Sequence, residues 1–313
     1  MTALTVLLPV RDGEAYLDAA IASLRSQTFT DFELLVIDDG SRDSTAEIAA
    51  RHASEDARVQ LHPNPRSGIV AALNFGIERA RAPLIARMDA DDIALPERFE
   101  RQMARMAVEP DLLVLGTATI RIDSQGRRLG IEMPPITADE VATVLLRTNP
   151  IAHPTIVMRR AAVAAVGGYR QAYLRAEDYD LWLRLAEHGR LANIPEPLVQ
   201  YRIGHGRFQA ELFSQQVMSE MAAKAAAGLR RAGRPDPTGE WSEIDDAALA
   251  ALGIDTPAVA RETARRALHM ARLCRKLGDV AGFRDALRLA ERQPRNGLGE
   301  TVRYLARRAK VYV

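Results

Sequence analysis

The chain has 313 residues, 47% of them hydrophobic and 27% charged, so it can bury a large core and lies near the size at which cores divide into domains. Its one cysteine, Cys274, excludes an internal disulfide and a zinc site built from paired thiolates. The net charge of +1 conceals an asymmetry, because residues 1–201 hold 22 basic and 28 acidic side chains and residues 202–313 hold 20 and 13. We therefore expect one large domain followed by a smaller region of different character.

The apolar run near the start of the chain, within MTALTVLLPVRDGEAYL, is too short to span a bilayer. It has no basic leader and an early proline, so we expect neither a signal peptide nor a membrane anchor. Nearly all cations are arginine, a bias that reflects genome composition more than phosphate binding, and we expect no nucleic-acid partner. The single cysteine fits a reducing compartment, so we expect a cytoplasmic protein.

Strands and helices are predicted to alternate through the first part of the chain. The strands are short continuous apolar runs, whereas the helices show apolar residues at helical spacing. One helix opens with Ser44 and Glu47 in the pattern of a capping box. The predicted elements are a strand at 4–10, a helix at 15–29, a strand at 32–41, a helix at 44–53, a strand at 58–63, a helix at 68–80 and a strand at 83–89.

Continuous apolar strands alternating with helices predict an α/β fold, with a mainly parallel sheet covered by helices on both faces. Ligands of such sheets bind beyond the carboxyl ends of the strands, where the loops after Val10, Ile37 and Met88 converge. All three loops are acidic, which suits a divalent cation better than a bare phosphate. Their acidic residues are Asp12, Glu14, Asp38, Asp39, Asp89, Asp91 and Asp92.

The pattern is mixed from residue 96 and almost wholly helical after about residue 206. In the helical part, residues 267–294 predict two short amphipathic helices joined at a Gly-Asp pair. The tail 299–313 predicts a basic amphipathic helix, either in peripheral contact with anionic lipid or simply solvated. The elements of the mixed part are a helix at 96–109, a strand at 112–122, a turn at 123–128, a loop at 149–160 and a helix at 176–188.

Several linked motifs carry a family resemblance. The stretches TVLLPVRDGEAYLDAAIASLRSQTFTDFELLVIDDGSRDST, MDADD and AEDYDLWLRLAEHG occur in this order, and the chain resembles a family 2 glycosyltransferase of the GT-A fold over roughly residues 3–205. The resemblance implies a GT-A catalytic domain at 1–205, followed by a helical C-terminal region at 206–313. It also implies an inverting enzyme that transfers a sugar from a nucleotide-diphosphate donor.

A hard divalent cation, Mn²⁺ or Mg²⁺, would stabilise the charge that builds on the departing diphosphate. By resemblance, Asp91 contacts this metal, Asp89 lies near the ribose or the metal, and His205 lies near the metal or the diphosphate. The alternative is structural: Asp91 and Asp92 cap the helix that starts near Pro96, or lie solvated in a turn.

The donor nucleotide is expected to be UDP. Asp39 resembles the family aspartate that accepts a hydrogen bond from the nucleobase, and Asp38 holds the loop or the ribose; the alternative is a simple DDGS turn. Pro9 and Arg11 are also expected to bind the donor. Pro9 marks the end of the first strand, and Arg11 follows it in the first loop, where the chain has Arg-Asp instead of the family's frequent aromatic-Asn pair. Arg66 either contacts the donor or is a solvated loop arginine.

The acceptor is expected to be a hydroxyl of a glycan or of a lipid-linked precursor. Inversion by direct displacement requires one base, and Asp178 matches the family's base by motif. The alternative is that Glu177 and Asp178 merely enrich the first turn of a helix in acids, while Asp180 points elsewhere. By resemblance, Arg202 also contacts the metal or the diphosphate.

Other functions are weighed against this one. A sugar nucleotidyltransferase needs a glycine-rich arginine loop after the first strand, which LPVRDGEAYL lacks. A catalytically silent scaffold with a helical docking region is disfavoured by the intact MDADD and AED motifs. No QxxRW motif follows the catalytic region, which argues against a processive synthase. The favoured role is non-processive transfer in cell-surface polysaccharide or glycoconjugate synthesis.

Overall fold

The computed structural model describes residues 2–203, 209–276 and 278–293. Within these residues the chain forms two compact units. The first runs to Arg170 and continues over Asp178–Ile203; the second combines Gln171–Glu177 with the described residues after 203. The boundary expected at 205/206, His205 and the tail helix at 299–313 lie outside the described residues.

The first unit is built on a nine-stranded sheet, counted over the described residues. Its order is β3-β2-β1-β4-β8-β6-β9-β5, and β7 pairs with β6. The strands are β1 (Leu4–Val10), β2 (Phe32–Asp38), β3 (Val59–Pro63), β4 (Leu84–Arg87), β5 (Ile93–Ala94), β6 (Leu112–Ile122), β7 (Arg128–Glu132), β8 (Val157–Arg159) and β9 (Arg190–Arg202).

The expected mainly parallel sheet is confirmed. β1 pairs in parallel with β2 and β4, and β2 with β3. β8 runs antiparallel to both β4 and β6, and β9 is parallel to β6, so β6 and β9 run in the same direction as β1. The carboxyl ends of these six strands therefore lie along one edge of the sheet.

Four strands were not predicted, namely β5, β7, β8 and β9. β8 lies in a segment that was expected to be a loop, and β9 contains Pro195 and Pro197. Proline cannot donate to a ladder and weakens the sequence signal of a strand. The register of the β6–β9 pair shifts there, since Thr117 faces Ile194 and the next residue, Ala118, faces Pro197. This irregularity accommodates both prolines while the pairing continues.

Helices cover both faces of the sheet. α1, α2 and α4 pack in the apolar cluster that contains Leu4, Val6 and Leu8, and α3 covers the other face. A Cβ on Gly76 of α3 would lie 2.8 Å from a methyl of Leu7, so only glycine permits this close approach. The helices of this unit are α1 (Leu17–Arg25), α2 (Thr45–Glu55), α3 (Ile69–Arg79), α4 (Arg98–Val108), α5 (Ala138–Leu145), α6 (Arg160–Ala165) and α7 (Glu177–Leu185), whose first residue belongs to the second unit.

The predicted capping box at Ser44 is wrong. Ser44 has φ −75° and ψ 13° and makes no side-chain cap, because its backbone is not in the extended conformation from which a cap reaches the third residue. Instead, Asp43 accepts from the N–H of Thr45 at 3.0 Å, and the Thr45 hydroxyl accepts from Gly13 N at 2.8 Å. The start of α2 therefore anchors the loop that follows β1.

The described part of the second unit is helical, with α8 (Ala210–Arg231), α9 (Asp246–Ala251), α10 (Thr256–Lys276) and α11 (Val280–Arg292). α10 and α11 share an apolar cluster with the start of α8, and Asp279 caps α11 through the N–H of Gly282 at 2.8 Å. Cys274 is buried. Among the described helices none combines the length and hydropathy that a bilayer crossing requires.

Candidate functional site

An acidic turn, residues 89–92, follows β4 at the carboxyl edge of the sheet. The N–H of Asp92 donates to Asp89 O at 3.3 Å and closes the turn. Asp89, Asp91 and Asp92 each offer one carboxylate oxygen, and these three atoms lie within 4.8 Å of one another. The three charges repel, so the turn requires compensation from neighbouring donors or from a cation.

Asp92 is the most confined of the three carboxylates. It is fully buried; its Oδ1 accepts from the backbone N–H of Arg202 at 2.8 Å, and its Oδ2 has no hydrogen-bond partner among the described residues. Burial, followed by the charges of Asp89 and Asp91, raises the pKa of Asp92 to about 9. A buried oxygen without a partner beside two carboxylates fits a hard divalent cation, which prefers oxygen ligands.

Two buried arginines lie behind the acidic turn. Arg87 donates from Nη1 to Asp89 Oδ2 at 2.8 Å and from Nη2 to Asp89 Oδ1. Arg98 is fully buried and donates to Arg87 O at 2.8 Å. Burial lowers the pKa of Arg98 to about 9, while the nearby Asp92 opposes this shift. Arg87 therefore engages both oxygens of Asp89.

The alternative that Asp91 and Asp92 cap the following helix is wrong. α4 begins at Arg98, its N-cap is Glu97, and no side chain caps it. Asp92 is buried rather than solvated, and it lies five residues before the cap position. The sequence left the role of Asp92 open, and its confinement comes from β9, which was not predicted.

The loops after β1 and β2 are tied together by short polar contacts. Asp38 Oδ1 accepts from the N–H of Ser41 at 3.0 Å and from its hydroxyl at 2.5 Å. The same hydroxyl accepts from Asp12 N at 2.9 Å, and Asp12 Oδ1 accepts from Arg42 N at 2.8 Å. Asp12 itself has φ +51°. Asp38 thus holds this loop, and a contact with a ribose stays a prediction.

Asp39 joins the loop after β2 to the loop after β3. Its Oδ1 accepts from Asn64 Nδ2 at 2.7 Å and from Gly68 N at 2.9 Å, and its Oδ2 is 3.0 Å from the same Gly68 N. Gly68 has φ +105° and precedes α3, a conformation that favours glycine. Asp39 is only half-buried, and its Oδ2 keeps acceptor capacity for a ligand.

The remaining predicted donor residues differ in exposure. Pro9 is buried within β1, opposite Ile37. Arg11 is exposed, with its Nε 3.9 Å from the Asp12 carboxylate. Arg66 is also exposed, and its backbone N–H donates to Asn64 at 3.3 Å. Donor contacts by these three residues stay predictions.

Asp178 lies half-buried on the first turn of α7. Its Oδ2 accepts from Asn149 Nδ2 at 2.7 Å, and its Oδ1 accepts from the N–H of Tyr179 at 2.7 Å. Asp180 is buried and paired with Arg184 at 2.7 Å, so it points elsewhere, as expected. The sequence missed Asn149, which lies 29 residues earlier and carries no motif of its own.

His153 is buried, with its Nε2 2.8 Å from the hydroxyl of Tyr169 and its ring edge-on to Trp182. Burial, together with the charge of Arg87, holds the pKa of His153 well below its usual value. A neutral imidazole with these partners serves the packing of this region.

The sequence matches a family model and several curated proteins. The family model described as glycosyl transferase family 2 matches residues 5–167. The amylovoran biosynthesis glycosyltransferase AmsE of Erwinia amylovora is 35% identical over 190 residues, covering 60% of this chain and 71% of that protein. The O-antigen biosynthesis glycosyltransferase WbnJ of Escherichia coli is 32% identical over 204 residues, covering 64% and 79%.

Two solved structures share the fold. The S. aureus TarS structure with UDP-GlcNAc has a TM-score of 0.56 at 15% identity, covering 92% of this chain and 90% of that one. The mannosyltransferase PcManGT of Pyrobaculum calidifontis, with GDP-Man and Mn²⁺, has a TM-score of 0.57 at 17% identity, covering 93% and 83%. At such identities the likeness supports the GT-A fold alone.

Proposed function

This chain belongs to glycosyl transferase family 2, and on that premise we propose a metal-dependent, inverting and non-processive transferase that takes the sugar of a UDP-sugar. Its acceptor is a hydroxyl of a glycan or a lipid-linked precursor, in cell-surface polysaccharide or glycoconjugate synthesis. The names of the two curated relatives, which concern amylovoran and O-antigen, support this role. The single cysteine fits a cytoplasmic place of action. The observation that carries the proposal is the acidic turn with the unpartnered Oδ2 of Asp92.

Asp91 and Asp92 would hold the metal, with Asp89 oriented by Arg87. Their hard oxygen donors suit Mg²⁺ or Mn²⁺, and the PcManGT structure contains Mn²⁺. When bound, the ion supplies Lewis-acid stabilisation of the charge on the departing diphosphate. Arg87 and the backbone N–H of Arg202 keep the carboxylates in place.

The hydrogen bonds of Asp39 favour an imide base, uracil or thymine, over guanine. Its Oδ1 already accepts two hydrogen bonds, from Asn64 and Gly68, so mainly Oδ2 remains for a base. Uracil presents one imide N–H, which one oxygen can accept, whereas guanine presents two adjacent N–H donors that match both oxygens of a carboxylate. The exposed Arg11 at the end of β1 is available to stack on the base or to pair with the diphosphate.

Asp178 would accept the proton of the acceptor hydroxyl as its oxygen attacks the anomeric carbon. The amide of Asn149 fixes Oδ2 at 2.7 Å and so orients the carboxylate. Direct displacement assisted by a single base inverts the configuration at the transferred carbon.

The proposal is tested by incubating the protein with UDP-, GDP- and dTDP-sugars, with and without Mn²⁺, and measuring thermal stability and release of nucleoside diphosphate. We expect Mn²⁺-dependent stabilisation and turnover with a UDP-sugar. Stabilisation without turnover for any donor or acceptor would favour the catalytically silent scaffold. No response to any nucleotide would refute a donor site.

A further inference from the structure

We propose that Arg202 is a positioning residue that clasps the acidic turn to the turn between β6 and β7 and thereby sets the geometry of the metal site. The inference rests on the proposed metal-dependent function. It replaces the expectation that the Arg202 guanidinium contacts the metal or the diphosphate.

Arg202 donates hydrogen bonds to both the acidic turn and the β6–β7 turn. Its backbone N–H donates to Asp92 Oδ1 at 2.8 Å, and its Nε donates to the main-chain oxygen of Asp91 at 2.8 Å. Its Nη1 donates to the main-chain oxygens of Asp123 at 2.8 Å and Ser124 at 3.3 Å. Within the described residues, the guanidinium donates only to backbone carbonyls, so its hydrogen bonds order the chain rather than neutralise a carboxylate.

The ring of Tyr16 packs against the guanidinium of Arg202. The central carbon of the Arg202 side chain lies 4.4 Å from the ring centroid, and the Tyr16 hydroxyl donates to Ser124 O at 3.4 Å. Arg202 is only 8% exposed. A planar cation held against an aromatic face has few alternative rotamers, so its donors are fixed in direction.

The topology explains why a residue at the end of β9 reaches both turns. β9 pairs with β5, whose first residue, Ile93, directly follows the acidic turn. On its other side β9 pairs with β6, where Arg202 lies opposite Ile122, the residue before the β6–β7 turn. Arg202 is therefore the position at which one side chain can bridge the two turns.

The surroundings of the proposed metal site must hold its carboxylate ligands in a fixed arrangement. The three carboxylate oxygens lie within 4.8 Å of one another, and a loose turn would not hold them at that spacing. Mg²⁺ demands near-ideal octahedral geometry, whereas Ca²⁺ accepts flexible coordination. A turn that has lost its clasp should therefore lose its preference for the smaller ion as well as its affinity.

The test compares Arg202→Ala and Arg202→Lys with wild type, using direct titration with MnCl₂, MgCl₂ and CaCl₂ alone. We expect Mn²⁺ and Mg²⁺ affinities to fall at least 10-fold in Arg202→Ala and Ca²⁺ affinity to fall much less. Lysine keeps the charge but not the planar fork, so Arg202→Lys should not restore Mg²⁺ binding. Arg121→Ala is the matched control, because Arg121 lies on neighbouring β6 and pairs with Glu132.

The outcomes separate the two proposals. Wild type that binds no divalent ion refutes the proposed metal dependence. If wild type binds Mn²⁺ and either Arg202 variant binds it equally well, with the same ion preference, then the proposed role of Arg202 is refuted. The proposed metal dependence would stand. Full rescue by Arg202→Lys shows that charge matters and geometry does not, which also overturns the inference. If Arg202→Ala fails to fold, Arg202→Lys decides the matter.

Discussion

Replacing Asp91 with asparagine should stabilise the metal-free protein and weaken its binding of Mn²⁺. Two unit charges 4.8 Å apart repel by about 3.5 kcal/mol at an effective dielectric constant of 20 and by about 1 kcal/mol in water. Asp92 carries little charge at neutral pH because its pKa is raised to about 9, and Arg87 offsets Asp89. These two offsets leave a relieved repulsion near the lower limit, about 1 kcal/mol, equivalent to a rise in Tm of roughly 2–4 °C.

When Mn²⁺ is bound, the stability difference between the two proteins should change in favour of wild type. At a Mn²⁺ concentration 100 times its Kd, wild type should gain about 2.7 kcal/mol, whereas Asp91→Asn has lost the ligand that we propose contacts the ion. Thermal unfolding of both proteins with and without Mn²⁺ measures both effects. Asp31→Asn is the control, since Asp31 is exposed just before β2, at the other end of that strand from the site. Its stability should change by less than about 0.5 kcal/mol.

Either of two results would contradict the prediction for Asp91→Asn. A metal-free Asp91→Asn protein with a lower Tm than wild type would show that repulsion does not strain the acidic turn. A Mn²⁺-induced rise in Tm as large as that of wild type would show that Asp91 is not a ligand.

The remaining predictions concern the base, the nucleotide loop and pH. Asp178→Asn should abolish sugar transfer and leave nucleotide affinity unchanged, and retained transfer would exclude its role as base. Gly68→Ala should lower the free energy of unfolding, measured in urea, by about 1–3 kcal/mol, because φ +105° is strained for alanine. It should also weaken UDP binding. Unchanged affinity for UDP would show that the contact between Gly68 and Asp39 is dispensable. Asp56→Asn should lose about 2 kcal/mol at pH 7, because Arg58 holds the pKa of Asp56 at about 2, below its unfolded value of 3.8. That stabilisation is present above about pH 4 and is lost as the pH falls toward 2. The free energies of unfolding of the two proteins in urea should therefore converge at low pH. A difference that does not depend on pH would contradict the ion pair.

Local patterns in the sequence were sufficient for β1 to β4 and for β6. The run LTVLLPV became β1 over Leu4–Val10, and LLVLGTATIRI became β6 over Leu112–Ile122, with the predicted bounds. Continuous apolar strands require cover on both faces, and that requirement makes the sheet mainly parallel. Parallel strands end at one edge, so the acidic loops after β1, β2 and β4 were predicted at one place before any contact was known.

Contacts that join distant segments were decided by the tertiary structure. β9 was missed because Pro195 and Pro197 mask its pattern, although pairing with β6 tolerates them through a shift of register. This strand brings Arg202 to Asp92 across 110 positions of sequence. Asp92 is buried there, with Oδ1 bonded to the Arg202 N–H and Oδ2 without a hydrogen-bond partner among the residues that the structure describes.

The sequence by itself therefore determined the fold class, the family and the edge of the sheet at which charge collects, because apolar periodicity and loop composition are local properties. The tertiary structure decided which carboxylates are engaged: Asp89 by Arg87, Asp178 by Asn149 and Asp92 by Arg202. Burial and hydrogen bonding depend on what packs against a residue from other strands and helices. Residue type and spacing along the chain do not contain that information.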